Sequence, residues 1–116
     1  MMNLKYEKKE NVIIVHVGSS LDIGNSPLVQ RDINTLINQF PEYDFILNME
    51  QVDIMNSAGL GVLILSSKKL ESAKRSLKLS NLNIAVKKVI QLLDAHEIID
   101  VYDNEEDAVN SLVLSR

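Results

Sequence analysis

A chain of 116 residues with 46% apolar and 24% charged residues has the size and composition of one globular domain, able to bury roughly two-thirds of the surface its unfolded form exposes. Its 4% aromatic content, lack of Trp and net charge of −4 are the opposite of a basic, base-stacking platform, so nucleic acid is a poor candidate partner. The absence of Cys rules out disulfides, thiolate metal sites and thiol nucleophiles, and it fits a reducing compartment.

The opening residues, Met1 to Lys8, lack the apolar stretch of a secretory signal, which makes the cytoplasm the expected location. Leu60 to Leu65 is the longest apolar run. It is far shorter than the roughly 20 residues that cross a bilayer, so direct membrane insertion is not expected.

In chain order, Leu4 to Lys8 is a short polar-apolar run, and Asn11 to Val17 is β-branched and buried in character. A tight turn at Glu10-Asn11 joins these two strands. Gly18 to Pro27 collects turn formers and ends in a helix start: Asn25 or Ser26 can cap, and Pro27 suits the first helical position. Val29, Ile33, Leu36, Ile37 and Phe40 then form one helical stripe, stopped by Pro41.

Phe45 to Met49 is an apolar strand, and a loop from Gln51 to Asn56 leads into a second helix running from Ala58 towards Lys74. Leu77 to Leu82 alternates with period two, as a strand with one wet face should. Val86, Val89, Ile90 and Leu93 return to helical spacing, and Ile98 to Tyr102 is a last strand. Glu105, Glu106, Val109, Leu112 and Val113 describe a final amphipathic helix whose acidic start complements its dipole.

The resulting order is ββαβαβαβα. Helix-length crossovers make the later strands mutually parallel, while the short first turn makes the opening hairpin antiparallel. The expectation is an α/β fold, one domain over residues 1–116, with helices packed on a mostly parallel sheet. Asn11 to Val17 and Phe45 to Met49 are expected as inner strands, and Val29, Ile33, Leu36, Val89, Ile90 and Leu93 as buried.

The chemically informative stretch is Asn56-Ser57-Ala58-Gly59-Leu60-Gly61, at the start of the second helix. Two glycines in a first turn cost about 1 kcal/mol each relative to Ala, so close backbone approach, such as tight packing of this helix on the sheet, is the expected reason for them. Asn56 or Ser57 would cap the helix. A phosphate on a hydroxyl at an exposed helix start would meet the positive dipole end and add about −1.5 to −2 charge without unfolding the protein.

These six residues resemble the Asp-Ser-Ser/Ala-Gly-Leu-Gly motif of STAS domains, in particular of bacterial anti-sigma factor antagonists. Gly18 to Asp22 resembles the family's Gly-x-Leu-Asp after an early strand. Leu77 to Leu82 with Val86-Lys87-Lys88-Val89, and Ile98 to Tyr102 with Glu105 to Ala108, resemble its later elements.

The resemblance covers nearly the whole chain and implies partner switching. An unmodified antagonist binds an anti-sigma factor that is also a serine-protein kinase, and a sigma factor is released; phosphorylation of the motif serine ends the complex, and a serine phosphatase resets it. The modified residue would be Ser57. The partner surface would comprise Asp22, Ile23, Gly24, Asn25, Asn56, Ser57, Ala58, Gly59 and Leu60, within a patch formed by the loop from Ser20 to Asn25 and the start of the second helix.

The family's Asp is Asn56 here, one charge fewer beside the acceptor, and one extra residue separates Gly18 from Asp22. The alternative within the same fold is a STAS partner-binding protein of a stress-signalling, lipid-trafficking or anion-transport pathway, without phosphoregulation.

An enzyme is not expected. His16 lies inside a strand and His96 at a helix end, so neither has a context that makes it a base for Ser57. Gly59-Leu60-Gly61 lacks the third glycine of a dinucleotide fingerprint, and no phosphate loop occurs. No cofactor is expected, and no metal site either, because the Asp and Glu residues show no alternating ligand pattern with a closing Glu. The free chain is expected to be a monomer.

Overall fold

The computed structural model describes residues 4–18, 20, 21 and 25–113. β1 (Lys5–Lys9) is polar and exposed along its length, as suits an edge strand that must not recruit a second sheet. It turns through Glu10, which holds a left-handed φ of 57°, into β2 (Val12–His16). The two pair antiparallel, with Lys5 opposite His16 and Lys9 opposite Val12.

β2 then lies beside β4 (Asp44–Asn48) in parallel. β4 continues in parallel to β6 (Leu77–Ser80), and β6 to β7 (Asp100–Tyr102). The sheet order β1-β2-β4-β6-β7 makes β2 and β4 inner strands, as their apolar runs require. Every residue of β4 is buried because helices cover both of its faces.

The period-two alternation decides which helix each side chain meets. Ile13, Val15, Phe45, Leu47, Leu77 and Leu79 point to the larger core, which α1 (Ser26–Gln39), α2 (Ser57–Ser72) and α3 (Ile84–Leu92) close with Ile33, Leu36, Leu63, Leu70, Val86 and Ile90. Val12, Ile14 and Ile46 point the other way, against Ala108, Val109 and Leu112 of α4 (Glu105–Val113). Three helices therefore lie on one face and the acidic-started fourth on the other.

The elements follow the expected order, with two short strands added: β3 (Ser20–Leu21) and β5 (Ile54–Met55), the latter inside the expected loop. Val29 and Val89 are half-buried against the core. Leu93, expected to be buried, is 53% exposed. Its spacing continues the stripe of Val89 and Ile90, but the helix has ended, since Leu93 is the C-cap and Asp94 turns left-handed at φ 55°. Ala95, in the 3-10 turn Ala95–Glu97, occupies the core instead.

Arg75 locks the far end of the structure. Its Nε donates to the Tyr43 carbonyl (2.8 Å) and its Nη2 to the Phe40 and Ile37 carbonyls (2.5 and 3.4 Å), which takes up acceptors left at the end of α1. The guanidinium also lies 5.7 Å from the Phe45 ring centre. Burial lowers its pKa from the usual arginine value, yet arginine stays charged throughout the accessible range.

Candidate functional site

β2 and β4 run in the same direction, so the segments that leave them emerge from the same edge of the sheet. Beyond that edge the two segments pair again. Ser20 lies opposite Ile54 and Leu21 opposite Met55 in a parallel two-stranded ribbon. This sets the segment after β2 beside Met55, one residue before Asn56. Asp22, Ile23 and Gly24 lie outside the described residues, and Asn25 follows half-buried at the start of α1.

The cap of α2 is Asn56. Its backbone is extended (φ −112°, ψ −173°), and its Oδ1 accepts from the N–H groups of Ala58 (3.1 Å) and Gly59 (3.2 Å). Its carbonyl accepts from Leu60 N–H at 3.0 Å. Asn serves this position as well as Asp does, so the missing charge does not cost the cap. Ser57 is then the first helical residue, and it is exposed.

The first turn of α2 holds no acidic residue, leaving the positive end of the helix dipole uncompensated at Ser57. A phosphate on Ser57 Oγ would be stabilised by that field. The Ala58 and Gly59 N–H groups are already engaged by Asn56, so a phosphate reaches them only by displacing that side chain.

Two expectations at this helix are corrected. Gly59 and Leu60, placed by the sequence reading on the partner surface, are buried, and Leu60 belongs to the main core at 4% exposure. They lie beneath the exposed first position of α2. At Gly61 an added Cβ would meet nothing within 4 Å, so helix-on-sheet packing is not what keeps a glycine there.

Asn83 lies outside the motifs that the sequence carries. Its Nδ2 donates to the carbonyls of Val52 (3.0 Å) and Asp53 (3.2 Å), and its Oδ1 caps α3 by accepting from Val86 N–H at 2.8 Å. One side chain thus fastens the approach to β5 onto the start of α3. An Asn just before an apolar helical stretch is a readable cap signal; its second set of partners is not readable. Exposed Ile54 (66%) and Ile84 (73%) flank this junction.

The STAS domain model matches residues 3–108. The anti-sigma F factor antagonist of Paenibacillus polymyxa is 26% identical over 113 residues, covering 96% of this chain and 97% of that protein. The anti-sigma-B factor antagonist of Bacillus subtilis is 27% identical over 108 residues, covering 93% and 97%.

Among solved structures, an anti-sigma factor antagonist from Mycobacterium paratuberculosis superposes with a TM-score of 0.84 at 19% identity, covering 94% of this chain and 92% of that one. The antagonist SpoIIAA in its unphosphorylated form gives 0.77 at 22% identity, covering 95% and 96%. The Bacillus SpoIIAA in its phosphorylated form gives 0.68 at 21%, covering 95% and 99%. At these identities the structural likeness is one of fold.

Proposed function

This chain belongs to the STAS-domain family, and we propose that it is an anti-sigma factor antagonist whose binding to an anti-sigma factor with serine-kinase activity is switched off by phosphorylation of Ser57. The observation that carries the reading is the exposed Ser57 hydroxyl at the first position of α2, held by the Asn56 cap directly after the β3–β5 ribbon. The relatives named as antagonists, and the existence of SpoIIAA in two phosphorylation states, support it.

The mechanism is a change of surface charge on a fixed scaffold. Unmodified, Ser57 presents a small neutral group flanked by Asn56 and Ala58, both half-buried. A phosphate adds about −1.5 to −2 charge. A partner fitted to the neutral surface then meets an unpaired desolvated charge, while the dipole of α2 keeps the free protein folded. A serine phosphatase would restore the neutral form. The protein acts by binding, without turnover or cofactor. No helix among the described residues is long and apolar enough to cross a membrane.

The test is titration calorimetry of the wild type, Ser57→Ala and Ser57→Asp against the cognate anti-sigma kinase, with circular dichroism to establish folding. Ser57→Ala retains binding and Ser57→Asp loses most of it, and mass spectrometry after incubation with the kinase and ATP finds one phosphate, on Ser57. Tight binding by folded Ser57→Asp would overturn the charge switch. It would favour instead a STAS partner-binding protein without phosphoregulation, a reading to which Asn56 in place of the motif's Asp, with one charge fewer beside the acceptor, lends weight.

A further inference from the structure

We propose that Glu7, His16 and Glu105 form a binding site for one divalent transition-metal ion, Zn2+ above all. The three residues come from β1, β2 and α4, and one ligand atom from each lies within 4.8 Å of the others. Their separation in sequence is why no ligand spacing can be read along the chain.

The topology explains the convergence. In the antiparallel hairpin Glu7 lies opposite Ile14 and Lys5 opposite His16, so Glu7 and His16 are diagonal neighbours on one face of the sheet. That is the face with Val12 and Ile14, which α4 covers. α4 begins just after β7, at the edge where β2 ends, and its first residue is Glu105.

The surroundings orient one of the three ligands, Glu105. Asn48, opposite His16 on β4, donates its Nδ2 to Glu105 Oε2 at 2.7 Å and accepts the Glu50 N–H at 2.9 Å. A hydrogen bond from behind the ligating carboxylate is the usual way in which ligand orientation is fixed. His16 and Glu105 are half-buried, and Glu7 is exposed on the edge strand.

Zinc bonds of about 2.0–2.2 Å would bring tetrahedral ligand atoms to roughly 3.4 Å from one another. Rotation of the exposed Glu7 side chain shortens its own distances to the other two ligands, and small shifts of His16 and Glu105 set the third. Two carboxylates and a neutral imidazole balance the charge of a divalent ion, and three protein ligands leave the fourth position to water or to a partner's side chain. An imidazole with only two carboxylates suits Zn2+, Co2+ or Ni2+; Ca2+ and Mg2+ prefer sites built from oxygen alone. The bound ion would tie the edge strand β1 to β2 and to the start of α4.

The test is calorimetric titration of the chelator-stripped full chain with ZnCl2, together with thermal melting. The wild type takes up one ion per chain and melts at a higher temperature with zinc. Glu7→Gln and His16→Gln each weaken binding at least tenfold and lose the thermal shift, while His96→Gln, which removes the other histidine, changes neither. Glu7 is exposed on an edge strand, so Glu7→Gln stays folded and decides the matter even if His16→Gln does not fold. No saturable uptake by the wild type, or uptake unchanged in folded Glu7→Gln, would overturn the site.

Discussion

Replacing Asn56 by Ala removes the only side-chain acceptor that the described residues offer to the N–H groups of Ala58 and Gly59, at 3.1 and 3.2 Å. Loss of an N-cap of this kind costs about 1 kcal/mol, within a range of roughly 0.5–2. For a chain of this length, that lowers the melting temperature by about 3–6 °C. Asn56→Asp keeps the acceptor and adds a carboxylate to a helix start that has no acidic residue in its first turn, so it gains about 0.3–1 kcal/mol. Ser57→Ala, at an exposed position that does not cap, stays within about 0.5 kcal/mol of the wild type. Urea unfolding followed by circular dichroism, with the slope checked for constancy across the series, measures all three. If Ser57→Ala costs as much as Asn56→Ala, the cap belongs to Ser57, and the account of a hydroxyl left free for modification fails.

Three further perturbations follow from the same physics. Gly61→Ala has room for its methyl group and raises stability by up to about 1 kcal/mol; if it also weakens binding to the proposed anti-sigma kinase partner, close approach of that partner is what the glycine serves. Arg75→Ala strips three carbonyls near the end of α1 of a charged donor and lowers unfolding free energy by about 2–4 kcal/mol. Arg75→Lys restores only part of that, because an ammonium cannot reproduce the planar fork; equal stability of the two variants in urea would contradict the geometry. Asn83→Ala unties the approach to β5 from α3 at about 1–2 kcal/mol, and amide exchange at Ile54 and Met55 accelerates more than in α4.

What the sequence determined by itself is what neighbours within about four residues can decide. The period of two in Val12 to His16 and of three and four in Ile33, Leu36 and Ile37 determines element type, because a strand or helix must turn those side chains to one side. Pro27 and Pro41 bound the first helix through their missing N–H, and helix-length crossovers force the parallel strands. The motif put Ser57 at a helix start for the same local reason. Tertiary structure decided the rest. Whether Asn56 or Ser57 caps α2 depends on which of two adjacent residues takes the extended backbone, and either could cap on composition alone. Leu93 obeys the helical period yet lies outside the core, since the helix end was settled by Ala95 entering it. The β3–β5 pairing, the double role of Asn83 and the meeting of Glu7, His16 and Glu105 join residues far apart along the chain. No local period encodes such contacts; they exist because burying the two faces of one sheet leaves the chain few ways to close.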